Sequence, residues 1–243
     1  MMFSYGLNHE NGKEVRYNRK KHFMPAFLSG NAESRTDFMH REILKLLANT
    51  NDKIYLIVPD NKFRNTIADV CCTEVVQCDV NTDWENFQFP RGFQFTIFLI
   101  KTSPLYLSEV YGMVIQQIQK QIQKNCQQNH YSWIYFDDMD MTADDKKVSQ
   151  MIYDLFLTAK NQKCFLTYTA ENFRSIYENN IYLDMIHNTG FTVLFSHDES
   201  DMKALDNVYE IEEESRNFLL TETARHGLIL LPDSTEFVPF IML

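Results

Sequence analysis

The segments Lys53–Val58, Phe93–Ile100, Tyr131–Phe136, Cys164–Thr169 and Gly190–Phe195 are apolar at most of their positions rather than at alternate ones. A strand of that kind is buried on both faces, as strands of parallel sheets are. Between them lie segments with apolar residues at helical spacing: Thr36–Ala48, Leu107–Lys124 with Val110, Val114, Ile115, Ile118 and Ile122 as its stripe, and Lys146–Lys160. Fully apolar strands alternating with amphipathic helices predict an α/β fold, a mainly parallel sheet flanked by helices. Shorter elements complete the pattern. Phe23–Ser29 and Glu74–Cys78 read as strands, and Phe63–Val70, Asn172–Tyr177 and Glu213–Thr221 as helices. Ser200 reads as the N-cap of a helix over Asp201–Asn207, and Gly227–Leu231 with Phe237–Leu243 as a closing hairpin.

Composition removes several function classes. The 23 Lys and Arg against 33 Asp and Glu leave a net charge of −10, which opposes a general grip on nucleic acid. No apolar run approaches the roughly 18 residues of a membrane span, and the N-terminus has no secretory signal pattern. The five cysteines form no CxxC pair, and no histidine stands at zinc-ligand spacing with them, so no metal site is expected. One domain over residues 1–243 accounts for the length, without repeats or a linker. Only 7 residues are glycine, each standing singly, although glycine is what lets a backbone wrap a phosphate.

In a mainly parallel sheet ligands sit beyond the carboxyl ends of the strands. That directs attention to Ser29–Thr36, Pro59–Asp60, Asp137–Asp140 and Thr167–Asn172. The first joins a strand to a helix, where the phosphate-binding pattern G-x-x-x-x-G-K-[ST] would stand. Here the glycine positions are Ser29 and Ser34, with Gly30, Asn31, Ala32 and Glu33 between them, and the lysine position is Arg35. Only Thr36 keeps the pattern. Trp133–Phe136 running into Asp137 and Asp138 has the shape of a Walker B strand, whose first acid helps to hold Mg²⁺. Asp144–Asp145 suits a helix start, and His197–Glu199 a loop before a helix. The glutamine-rich stretch Gln116–Gln123 reads as a solvated or partner-facing helix face.

In the order of its segments the chain resembles the C-terminal RecA-like motor domain of conjugation and type IV secretion ATPases, in the form carried on conjugative transposons. These belong to the HerA–FtsK-like branch of P-loop ATPases. The resemblance runs through Gly6–Asn8, Asn11–Gly12 and Tyr17–Asn18 as an N-terminal hairpin and Arg41–Leu44 in the helix after the P-loop. It continues through Ile54–Ile57 with Pro59, Asp60 and Phe63, and Phe98–Lys101 with Tyr111–Met113. Ile134–Asp138 matches Walker B, and Thr169 opens the sensor segment. Asn179–Asn180 followed by a strand, Gly227–Leu231 and Val238–Phe240 match the C-terminal end.

The departures fall on the functional positions. The resemblance implies two P-loop glycines and a lysine where Ser29, Ser34 and Arg35 stand. It implies a glutamate where Asp138 stands, a sensor glutamine at Ala170, arginines at Leu157 and Ala159 with only Lys160 basic nearby, and a helical insertion between Pro90 and Phe93 that is missing. The expectation is a degenerate domain with a vestigial site, no cofactor and no turnover. It would act as a structural or regulatory, cytoplasmic component of a conjugation machinery, beside an active homologous ATPase or further copies of itself. Two alternatives stay open. One is an atypical ATPase in which Arg35 contacts the phosphates of MgATP, Thr36 and Asp137 hold Mg²⁺ and Asp138 acts on water. The other is an unrelated RecA-like binding module.

Overall fold

The computed structural model describes residues 2–22, 25–59, 72–221, 224–232 and 234–242. The expected helix at 63–70, Asp60, Cys71 and the first residues of the strand expected from Phe23 include positions outside that set.

One sheet organises the chain. Its order is β2 (Glu14–Tyr17), β1 (Phe3–Asn8), β11 (Val238–Ile241), β10 (His226–Leu230), β9 (Phe191–Phe195), β3 (Ala26–Ser29), β8 (Cys164–Ala170), β7 (Ser132–Phe136), β4 (Lys53–Pro59), β6 (Phe95–Ile100) and β5 (Thr73–Cys78). From β9 to β5 all pairings are parallel, and β10, β11, β1 and β2 extend that sheet in antiparallel fashion. The expected α/β architecture is the one observed. The C-terminal hairpin does not close the sheet, however. β11 also pairs with β1, so the N-terminal hairpin forms that edge.

Residues alternate between two cores. Phe27, Ile57, Phe98, Ile134 and Leu166 face one side, under α3 (Leu107–Gln127), α4 (Lys146–Ala159), α5 (Phe173–Glu178), α6 (Asn180–His187) and α7 (Glu199–Tyr209). Ala26, Leu28, Ile54, Trp133 and Phe165 face the other, under α2 (Ala32–Asn49). This is why the strands read as apolar without alternation: both faces are covered. α8 (Glu213–Thr221) follows α7 and adds Leu219 to the first core.

Three local expectations change. Asp198, not Ser200, caps α7: its backbone is extended and its carboxylate accepts the N–H groups of Ser200 and Asp201 at 3.0 and 3.2 Å. Asn179 leads into α6 before any strand. Its carboxamide oxygen accepts from Ile181 and Tyr182 N–H, and Tyr182, Met185 and Ile186 bury one side of the helix. α2 starts at Ala32, four residues before the expected Thr36, because Asn31 caps it.

The N-terminal segment is tied to the sheet by a buried charge. Arg19, in the single-turn helix α1 (Arg19–His22), donates to Glu42 Oε2 and Thr167 Oγ1 at 2.8 Å each and to the Leu166 carbonyl at 2.7 Å. The hydroxyls of Tyr135 and Tyr5 donate to the same glutamate at 2.9 and 3.2 Å. Burial, and after it the Glu42 charge, pushes both phenols well above their ordinary range. The guanidinium lies 5.2 Å from the Trp133 ring centre. Removing one member of such a pair leaves an uncompensated buried charge. Glu42→Leu is expected to lower stability by about 3–5 kcal/mol, and the Arg19→Met/Glu42→Leu double variant to recover much of that loss in urea unfolding.

Candidate functional site

β8 lies between β3 and β7, so the carboxyl ends of all three strands meet at one place. β3 ends at Ser29, and the chain turns into α2 within two residues. Gly30 makes that turn possible. Its φ is +102°, and a Cβ there would lie 2.7 Å from the Ser196 carbonyl oxygen and 2.8 Å from that of Phe195. No wider loop exists, because Ala32, Glu33 and Ser34 are already helical.

The N–H groups at this turn have partners. Gly30 N–H donates to the Ala170 carbonyl at 3.3 Å and Asn31 N–H to the Ser196 carbonyl at 2.9 Å. Ser34 N–H donates to Asn31 Oδ1 at 3.1 Å, and the buried Ser29 hydroxyl to the Ala170 carbonyl at 3.2 Å. A phosphate nest needs successive N–H groups free and convergent. Thr36 lines a separate cleft with Glu33, Asp37, His40 and Arg225.

Arg35 fills the centre. Its side chain is 1 % exposed. Nε donates to the Gly30 carbonyl at 2.8 Å, and Nη1 to Asp138 Oδ1 at 2.8 Å and Thr169 Oγ1 at 2.7 Å. Asp137 Oδ1 lies 3.7 Å from Nη1, and Glu171 Oε2 lies 3.9 Å from Nη2. Thr169 acts as a junction, accepting from Arg35 and from Asp138 N–H at 3.0 Å while donating to Asp137 Oδ1 at 2.8 Å. Asp138 is held in the left-handed region, with φ 52° and ψ 55°. That conformation costs roughly 1–2 kcal/mol for an L-residue, and the contacts at its N–H and its carboxylate hold it there.

Sequence reasoning singled out Arg35, Asp137, Asp138 and Thr169, and the fold brings these four together. It had no role for Asp140 or Tyr111. Asp140 accepts the N–H groups of Glu171 and Asn172 at 3.2 Å each. Burial first, and then the Asp138 charge, raises its carboxyl. Tyr111 is fully buried, and its hydroxyl has no hydrogen-bond partner among the described residues. Burial, and then the charges of Asp137 and Asp138, pushes that phenol well up. Asp140 falls in the strand-end segment Asp137–Asp140 that the parallel-sheet rule points to, whereas no spacing rule links a helix tyrosine to acids on a strand, so Tyr111 had no chemical signal. Leu157 is 57 % exposed and Ala159 buried near the C-terminal end of α4, and Lys160 follows in a single 3-10 turn that leads to the start of β8. These three therefore lie toward the opposite end of the sheet from Asp137.

A magnesium nucleotide held as a P-loop holds it needs a glycine-lined nest and a cation position beside the strand acids. Here the nest is replaced by helix, and the place beside the acids holds the Arg35 guanidinium. The residues present do not fit that mode of binding. Among the described residues no group of three His, Cys, Asp or Glu is placed to hold a metal ion, and no helix is long and apolar enough to cross a membrane.

No protein-family model matches the chain, and no curated protein matches it in sequence. Its structure is similar to that of VirB4 of Thermoanaerobacter pseudethanolicus, with a TM-score of 0.84 at 8 % identity over 99 % of this chain and 96 % of that one. It is similar at a TM-score of 0.61 and 12 % identity to the genome packaging NTPase B204 of Sulfolobus turreted icosahedral virus 2, solved with AMP, over 90 % of this chain and 98 % of that one. The cytoplasmic domain of the type VII secretion ATPase EccC of Thermomonospora curvata matches at 0.62 and 11 % identity, over 99 % of this chain and 26 % of that one. These likenesses show the fold alone: this chain shares the α/β core of those structures.

Arg35→Met is expected to destabilise the chain by about 3–5 kcal/mol at neutral pH. Urea unfolding at neutral pH reads the loss.

Proposed function

We propose that this chain is a motor-domain relative of the conjugation and type IV secretion ATPases that has given up nucleotide turnover and serves as a structural or regulatory subunit of a conjugative DNA-transfer machinery. One observation carries the reading: the guanidinium of Arg35 lies on Asp138 and Thr169 beside Asp137, where a P-loop enzyme would place its metal and phosphates. A cation supplied by α2 itself is present at all times and cannot leave with a product. A motor needs the opposite, a charge that arrives with the nucleotide and departs after hydrolysis.

Other residues agree. Asp138 carries a carboxylate one methylene shorter than the glutamate of the resembled family. Glu33, in the first turn of α2, adds negative charge on the side from which a triphosphate would approach. Loss of an arginine finger alone lowers turnover by about 10³ or more. The partners that fit this role are proteins of the same complex: an active homologous ATPase, or further copies of this chain. It would work in the cytoplasm, held at the inner face of the membrane through those partners.

Calorimetric titration with MgATP and MgADP tests the reading. No binding is expected up to millimolar nucleotide, and no phosphate release above the buffer rate. Mg²⁺-dependent turnover that Asp137→Asn abolishes would overturn it and favour an atypical ATPase working through Arg35, Thr36 and the two acids.

A further inference from the structure

The amino ends of β4 and β6 carry a groove of about 500 Å³, at the opposite end of the sheet from Arg35. Its walls are the segment 87–94 and the second half of α3. Lys53, Arg91, Lys120 and Lys124 line it, and no Asp or Glu does. On a chain with 33 acids and 23 Lys and Arg, a groove with four cations and no carboxylate runs against the composition. Arg91, Lys120 and Lys124 are exposed and make no ion pair among the described residues.

The floor is held in place. Lys53 Nζ donates to the Phe93 carbonyl at 2.8 Å. Gln117 Nε2 donates to the Trp84 carbonyl and Gln121 Nε2 to Asn125 Oδ1, both at 2.9 Å. Asn125 in turn donates to the Tyr55 hydroxyl at 2.8 Å and to Ser132 Oγ at 3.0 Å. With one N–H of each amide engaged, the two glutamines are oriented and keep their carbonyl oxygens as acceptors, so the floor needs little ordering on binding.

We propose that this groove binds an acidic peptide segment of a protein partner. Its cations take carboxylates, and the glutamine oxygens take backbone N–H groups. A nucleic-acid strand fits less well. Its phosphodiester backbone offers no donor to those oxygens. Of the aromatic rings lining it, Phe87, Phe89 and Tyr55 are engaged with other rings: Phe87 and Phe89 lie 6.1 and 5.7 Å from Phe98, and Phe89 lies 5.6 Å from Tyr55, which leaves few faces for bases to stack on. The inference holds whether or not the chain binds nucleotide, because no residue of the groove belongs to the site at Arg35.

Fluorescence anisotropy on the full chain tests it with a labelled peptide rich in Glu and Asp, its Gln/Asn counterpart, and a labelled oligothymidylate of equal length. The acidic peptide alone is expected to bind, more weakly as salt screens the contacts. Lys120→Glu/Lys124→Glu should weaken that binding roughly tenfold, from two exposed charge pairs lost and reversed. Lys203→Glu, an exposed charge change on α7, should leave it nearly unaltered. Circular dichroism checks that each variant keeps its fold. Binding of the oligothymidylate in preference to the peptide, equal weakening by Lys203→Glu, or no peptide binding at millimolar concentration would each overturn the proposal.

Discussion

The guanidinium of Arg35 joins four elements at one point. It comes from the first turn of α2, reaches back to the Gly30 carbonyl after β3, and lands on Asp138 at the end of β7 and Thr169 near the end of β8. A buried arginine is tolerable only when its charge and its donors are met. Once Arg35 is placed, the carboxyl ends of three strands are bound together, and much else follows. Asn31 must cap α2 so that residue 35 points inward. Gly30 must turn at positive φ against the Phe195 and Ser196 carbonyls. Asp138 must adopt a left-handed backbone to bring its carboxylate onto the guanidinium.

Arg19 repeats this logic on the same face of the sheet, further back along β8. There the carboxylate is Glu42, on the helix rather than on a strand, and the threonine is Thr167, two residues before Thr169 on β8. Alternate residues of a strand share a face, and the two arginines approach that face of β8 at different heights, one near its middle and one at its end. The face that α2 covers is thus tied at two heights by charge as well as by apolar packing.

The architecture was legible because burial on both faces removes alternation from a strand, and amphipathic helices stand between those strands. The acids at the end of β7 were legible for a similar reason, since charge directly after an apolar run marks where a buried strand reaches the surface. The start of α2 was not. Thr36 is a plausible cap by type, but Asn31 offers a carboxamide to Ser34 N–H and lengthens the helix by four residues. Likewise Ser200 is a good cap in general, yet Asp198 reaches both orphan N–H groups of α7. Several polar residues near a helix start compete, and backbone geometry chooses among them.

By itself the sequence determined the class of the fold, the paucity of glycine where a phosphate loop would need it, and the acid pair closing a buried strand. Each of these is a property of neighbours along the chain, which propensity and periodicity report directly. Only the tertiary structure decided that Arg35 would meet Asp138, 103 residues away, and that a hydroxyl from a third strand would join them. It also decided that the lysines of α3 and Arg91 would share a groove without a carboxylate. Those contacts depend on strand order and helix phase, which are set by packing the whole chain at once.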